Sequence, residues 1–371
     1  MTKKISNLQI FKFSNIKRLF DSNALWLSMI IGAVFYKWLV PLSPILPWLI
    51  FFMLFFTFCK VNPLDLRLHR WHWIVLATQM ALSFVTYFGA LYLSGNQLLA
   101  QGLLMCFIMP TATAAPIIAG KLGGSIQNLT TFTLLSNFAT AIVVPATFPL
   151  ITNYQSPITN YEFSTYFWPA FLLILSRIGP LLLGPFCLAW LVRICFNKYY
   201  RDHEKITNDQ SPITNHQSPI TNKEFVLPVQ LAVVPFYLWV ASITVLSATV
   251  TQTVITNYQL QITNILILLG LSFISCLLQF GLGKLIGFHL PAPSKGRDYQ
   301  DVLINPAAAP KTMAGVSSIT AGQAFGQKNT SLGVWMAQVY LNPMASLGAA
   351  AYIIWQNLFN SLQLTIAARK K

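Results

Sequence analysis

Long apolar runs separated by short polar stretches dominate this chain, and the length of the runs decides what they can be. A helix needs about 20 mostly apolar residues to cross the hydrocarbon of a bilayer. Runs of that kind predict spans near 24–39, 44–60, 72–93, 98–120, 129–151, 165–192, 225–254, 262–288, 314–340 and 344–364. The first two are short, so they are expected to tilt less or to end in the interface. The pattern predicts an all-α membrane protein of about ten transmembrane helices, with the lipid bilayer as its first partner.

The basic residues support the count. When the ten spans alternate sides, all but three of the 24 lysines and arginines fall on one face, counting Lys284 near the end of its span on that face; Lys37, Arg177 and Lys328 lie within spans. The positive-inside bias makes that face cytoplasmic and puts both termini there. The expected location is a cell membrane, specifically a bacterial inner membrane. The organisation read this way is a basic cytoplasmic arm (1–23), a first five-helix repeat (24–151), a connecting loop (152–164), a second five-helix repeat (165–364) and a basic tail (365–371). The second repeat carries loops at 206–222 and 291–313. The arm has no cleavable-signal pattern and is expected to stay attached.

Composition narrows the function. The chain is 55% hydrophobic and only 9% charged, against roughly a quarter charged in a soluble domain. A net charge of +15 could suit nucleic acid, but that needs basic residues gathered on one soluble surface. Here they are dealt out between apolar runs, so no nucleic-acid partner is predicted. The cysteines Cys59, Cys106, Cys187, Cys195 and Cys276 stand singly, without metal-ligand spacing or a disulfide framework. They read as small buried hydrophobes. The histidines, His69 and His72 among them, lie near span ends and read as interfacial anchors.

All nine carboxylates (Asp21, Asp65, Glu162, Asp202, Glu204, Asp209, Glu224, Asp298 and Asp301) fall in loops or tails. Intramembrane carboxylates are costly and mark proton relays or cation sites. Their absence from the spans argues against a carboxylate proton pump, and against membrane enzymes that hold magnesium on Asp clusters or build a protease site from Glu. No Ser/His/Asp set or zinc set can be assembled either. We therefore expect no catalytic residue, no metal site, no cofactor and no enzyme.

Two spans are interrupted where an ordinary span would be smooth. The fourth carries Pro110 and Pro116 with Thr111 and Thr113 between them, and each proline removes an amide donor. The ninth carries Gly322, Gln323, Gly326, Gln327, Lys328 and Asn329 at its middle. Irregular backbone at membrane depth survives only inside protein or against a wet cavity. The two interruptions occupy corresponding places in the two halves. Paired breaks of this kind point to a transporter built of inverted repeats with a midplane site. The candidate binding residues are Thr111, Thr113, Pro116, Gln323, Gln327, Lys328 and Asn329.

At these residues the chain resembles the bile acid:sodium symporter family, within a superfamily that includes arsenite carriers. IMPTATAAP at 108–116, GGSIQNLTTFTLLSNFATAIVVP at 123–145, GQAFGQKNT at 322–330 and WQNLFNSLQL at 355–364 carry the resemblance. It implies two inverted five-helix repeats, in which a panel of spans one, two, six and seven faces a core of the other six, and the broken helices cross in that core. It also adds Gln79 and Thr133 to the binding set. The family's cation-binding positions correspond here to Ala115, Pro116, Leu129 and Thr133, and its ninth-span glutamate to Gln323. Only Thr133 keeps a useful oxygen among the first four. This chain thus departs from sodium chemistry and offers the ammonium of Lys328 instead, while a snorkelling lysine is the bland alternative.

The sequence thus predicts a secondary transporter of a small organic solute, more specifically an organic anion, working by alternating access. Metalloid-oxyanion efflux with Cys106 as thiolate, and a non-transporting receptor or scaffold, are the alternatives. A homodimer is allowed, but nothing in the sequence dictates oligomeric state. The loops reuse one unit, as ITNYQSPITN at 151–160, ITNDQSPITNHQSPITN at 206–222 and ITNYQLQITN at 255–264, on both faces of the membrane. It reads as a low-complexity insertion, because extra loop length costs little entropy. Deleting 206–222 should leave expression and melting temperature nearly unchanged; a large loss of either would show that the repeat is structural.

Overall fold

The computed structural model describes residues 24–61, 66–151, 167–208, 228, 231, 233–256, 262–291 and 309–369. The basic arm, the 152–164 loop, most of the 206–222 and 291–313 loops, and Lys370 and Lys371 lie outside the described residues. The chain is an all-α membrane protein: the described residues form helices and turns, with one isolated backbone bridge and no strand. The helices are α1 (Ala24–Val34), α2 (Tyr36–Leu39), α3 (Leu46–Phe58), α4 (Arg70–Ser94), α5 (Gln97–Ile108), α6 (Ala115–Leu122), α7 (Ile126–Ile151), α8 (Phe167–Asn208), α9 (Val234–Thr256), α10 (Ile262–His289), α11 (Ala309–Gly326), α12 (Thr330–Tyr340) and α13 (Ser346–Arg369). Among the described residues, six stretches are long and apolar enough to cross a membrane: Tyr36–Phe58, Arg70–Ser94, Ile126–Ile151, Phe167–Tyr199, Val234–Thr256 and Ile262–His289.

Several boundaries differ from the sequence reading, each for a local reason. The chain turns at Phe35, and Pro41 and Pro44 hold Val40–Ile45 in a 3-10 helix. The first two apolar runs therefore divide at 35 rather than between 39 and 44. Helix α8 continues past its apolar part to Asn208, because no proline or glycine interrupts 193–208. The fourth and ninth runs are each two helices, α5 with α6 and α11 with α12.

Apolar side chains of large area, such as Trp38, Trp48, Trp168 and Leu172, face outward, which suits lipid rather than water. Inside, α3 packs between α8 and α9, while α10 touches α4, α5, α11 and α13. Helix α12 rests mainly on α13 and only lightly on α3 and α9. His72 departs from the expected interfacial role. It is fully buried, its Nδ1 accepts from the His69 amide at 2.9 Å, and its Nε2 faces the Asn128 carbonyl at 3.0 Å. Those partners assign a neutral imidazole that caps α4 and ties it to α7. The cysteines divide: Cys59, Cys106 and Cys276 are buried, whereas Cys187 and Cys195 are exposed.

Helices α10 and α11 approach each other closely, and the sequence explains it. Gly283 and Gly287 lie one turn apart, against Ala321 and Ser317. A β-carbon at either glycine would meet the backbone of α11 well inside van der Waals contact. Small residues four apart let helix backbones approach in a bilayer, where van der Waals contact drives association. Gly283→Ala and Gly287→Ala should each destabilise by about 1–3 kcal/mol through overpacking, measured by thermal unfolding in detergent. Gly281→Ala, with nothing within 4 Å of its β-carbon, should be near neutral. Equal effects at the three positions would contradict this packing.

Candidate functional site

Two broken helices meet and close each other's backbone. Helix α5 ends at Met109 (φ −54°, ψ 136°) and α6 begins at Ala115; α11 ends at Gly326 and α12 begins at Thr330. Between these ends, Thr111 and Lys328 form an antiparallel bridge. The Asn329 amide donates to the Pro110 carbonyl at 2.7 Å, and the Ala112 amide to the Gln327 carbonyl at 3.0 Å. Pro110 removes one amide from this segment, and Asn329 starts α12 by accepting from the Leu332 amide at 3.3 Å. Pro116 does less than the sequence suggested. It sits in the first turn of α6, where its missing amide would have had no helical partner, so it starts a helix rather than breaking one.

Side chains from neighbouring helices take up what remains of the exposed backbone. Gln79 on α4 donates to the Met109 carbonyl at 2.9 Å, and Gln279 on α10 to the Cys106 carbonyl at 3.1 Å. Ser136 on α7 accepts from the Thr111 amide at 3.0 Å, and Gln356 on α13 accepts from the Lys328 amide at 2.9 Å. Thr111 Oγ1 donates to the Ala324 carbonyl at 2.7 Å, and Tyr352 Oη to the Gly326 carbonyl at 2.8 Å.

Of the residues expected at the site, Thr111, Gln327, Lys328 and Asn329 are in the junction itself and Gln79 closes it from one side. Gln327 Nε2 donates to Gln323 Oε1 at 2.6 Å, and Gln323 Nε2 to Gln363 Oε1 at 3.1 Å. This amide chain runs from the junction to α13. Thr133 spends its hydroxyl on its own helix, donating to the Leu129 carbonyl at 2.9 Å. Thr113 is half-buried on the segment leading into α6. Residues that sequence reasoning missed are Ser136, Gln279, Tyr352 and Gln356. Gln279 had a readable signal, as an amide inside an otherwise apolar span like Gln79.

Lys328 is the electrostatic centre of the site. It is 1% exposed, so it does not snorkel to a surface. The carbonyls freed by the break do not serve its Nζ. Those carbonyls are taken by Gln79, Gln279 and Asn329, and Lys328 Nζ has no hydrogen-bond partner among the described residues. It stands 5.0 Å from the Phe325 ring centroid. A desolvated cation–π contact is worth about 2 kcal/mol, against an effective penalty of several kcal/mol for burying an ion. The ring does not balance the burial. No carboxylate is among the described side chains. Other buried polar atoms nearby also lack partners: Gln79 Oε1, Gln279 Oε1, Asn329 Nδ2 and Ser331 Oγ. The backbone of the junction is closed, whereas its side chains are left with open valences.

The N-terminal ends of α6 and α12 flank the bridge, and helix N-termini favour negative charge. Cys106, which metalloid chemistry would need as an open thiolate, is buried with Sγ turned to the carbonyls of Gly102 (3.4 Å) and Gly348 (3.5 Å). Among the described residues no group of three or more His, Cys, Asp and Glu side chains could hold a metal. No protein-family model matches the chain, and no curated protein matches its sequence.

If Gln79 and Gln279 serve the α5 carbonyls as described, removing either donor leaves a buried carbonyl without a partner. Gln79→Leu and Gln279→Leu should each lower stability by about 1–3 kcal/mol, read as a fall in melting temperature in detergent. An unchanged melting temperature in both would contradict the capping role.

Proposed function

We propose that this protein is a secondary transporter of a small organic solute, and that the solute is an organic anion recognised where the two broken helices cross. The observation that carries this reading is the Lys328 side chain, buried at the crossing with no hydrogen-bond partner for its Nζ among the described residues. Its burial is unbalanced in the absence of an anion, and the flanking helix N-termini add to the attraction for one. No cofactor enters the reading.

The likeness to the bile acid:sodium symporter family belongs to this proposal, as does the ten-span arrangement in two inverted five-helix repeats. One feature of the junction supports the repeat. The helix that follows each break supplies the oxygen that accepts the amide of the bridge residue: Ser136 of α7 for Thr111, and Gln356 of α13 for Lys328. The light contact of α12 with α3 and α9 supports a panel that slides or rocks against a core, giving alternating access. In this arrangement both termini face the cytoplasm and the protein sits in a bacterial inner membrane.

Sodium coupling is not part of the proposal. The positions that the resemblance assigns to a cation are Ala115, Pro116, Leu129 and Thr133, and the one hydroxyl among them is bonded within α7. A sodium ion would find few oxygens and no carboxylate.

The test begins with a thermal-shift screen of the purified protein against organic acids, followed by flux of the best ligand in proteoliposomes. Stabilisation by that ligand should be the same in sodium as in potassium or choline buffer. Lys328→Met, which keeps the bulk of the stem, should retain the melting temperature and lose at least tenfold in flux, equivalent to roughly 1.4 kcal/mol. Lys328→Arg should restore flux only in part, because a planar fork does not replace a compact ammonium. Wild-type flux in Lys328→Met would remove the lysine from the site.

A further inference from the structure

Lys284 is a second lysine in an apolar span, and the crossing does not use it. It lies on α10 five residues before His289, the last of the helix, so roughly 7–8 Å from that end at 1.5 Å per residue. It is half-buried. Its stem covers Gly322 of α11, and its Nζ stands 6.0 Å from the Phe359 ring centroid on α13. Among the described residues Lys284 Nζ has no hydrogen bond and no ion pair. A lysine this close to a helix end reaches the headgroup region of a bilayer with its long stem.

The side chain stands at the edge where α10 and α13 run side by side. Phe273 meets Trp355 with ring centroids 4.8 Å apart, and Trp355 Nε1 donates to the Leu269 carbonyl at 3.0 Å. Further along both helices Phe280 meets Phe359, again at 4.8 Å. The residue numbers rise together, so α10 and α13 are parallel and end at the same face. From the second pair the chain runs roughly 14 Å to His289 and roughly 15 Å to Arg369, which brings these two exposed basic ends to a similar depth. The edge below them is apolar and uncovered. Phe288 on α10 is 55% exposed, and Leu362 and Ile366 on α13 are 56% and 46% exposed. Gly281, one turn from Lys284, has nothing within 4 Å of its β-carbon position.

We propose that Lys284, with His289 and Arg369 at the ends of the same two helices, holds the headgroup of an anionic phospholipid whose acyl chains lie along the exposed edge of α10 and α13. The assignment needs only a membrane protein and stands apart from the transport reading. The two helix C-termini bring about half a negative charge each, less than the full charges of Lys284 and Arg369, so a phosphate there meets a net positive field. Basic residues gathered between helices at headgroup level bind anionic lipid by this attraction. A soluble anion would gain the same charges but nothing from Phe288, Leu362 and Ile366, which is why lipid is the occupant assigned.

Native mass spectrometry of the full chain tests this, after delipidation in detergent and addition of equal amounts of phosphatidylglycerol and phosphatidylcholine with identical acyl chains. The wild-type protein should retain phosphatidylglycerol in preference. Lys284→Met keeps the stem over Gly322 and should lower that preference by about fivefold, the weight of one basic residue near a membrane surface. Lys284→Gln repeats the test with a second neutral side chain, and Lys284→Arg should keep the preference. Lys198→Met, exposed on α8 where that helix packs with α3 and α7, should leave it nearly unchanged. Equal retention of the two lipids by the wild type overturns the proposal. An unchanged preference in both neutral variants overturns it as well, by assigning the lipid to other basic residues. Displacement of the bound lipid by glycerol 3-phosphate would reveal a site for a soluble anion and overturn the choice of lipid.

Discussion

Backbone amides and carbonyls that a helix break exposes at membrane depth must find partners inside the protein, since lipid offers none. The Thr111–Lys328 bridge is how this chain meets that constraint. Each broken helix supplies what the other lacks: Asn329 donates to Pro110, and Ala112 donates to Gln327. The remaining backbone groups are taken by side chains from α4, α7, α10 and α13. The junction therefore fixes the places of α4, α7, α10 and α13 relative to the two broken spans. It also accounts for polar residues that would be anomalous in a simple span, among them Gln79, Gln279 and Gln356.

Closing the backbone leaves the side chains free to act on something else. Orphaned atoms gather at the junction, Lys328 Nζ, Gln79 Oε1, Gln279 Oε1, Asn329 Nδ2 and Ser331 Oγ among them, and others lie on further helices, such as Trp71 Nε1 and Asn137 Oδ1. A purely structural junction would gain from replacing such groups by apolar ones, because each unpaired polar atom in a buried place costs about 1–3 kcal/mol. The close glycine contact of α10 with α11, next to the light contact of α12 with α3 and α9, gives one half of the broken span a firm seat and the other half room to change neighbours.

Much of this was legible in the sequence because the bilayer simplifies the code. Apolar run length located the six long spans, and Pro110 with the 322–329 polar cluster located both breaks. What the sequence hid has physical causes. Pro116 reads the same whether it breaks a helix or starts one, and only the position of Ala115 as first helical residue decides. The partners of Lys328 could not be read, because carbonyls freed by a break can be claimed by a distant glutamine as easily as by an ammonium. Gln279 claimed one. His72 looked interfacial from its place near a span end, yet the His69 amide and the Asn128 carbonyl satisfy it fully inside.

The account stands on the two breaks being joined, and a cross-link measures that directly. Residues paired across an antiparallel bridge have α-carbons about 4.5–5.5 Å apart, within the range a disulfide spans. Thr111→Cys with Lys328→Cys, in a chain whose 206–222 loop carries a protease site and whose exposed Cys187 and Cys195 are Ser, should oxidise readily in the membrane. After cleavage the two halves should then migrate together on a denaturing gel until reductant separates them. Halves that separate without reductant, under conditions where a cysteine pair placed between the contacting helices α5 and α10, on opposite sides of the cut, stays linked, would show that the broken helices do not meet.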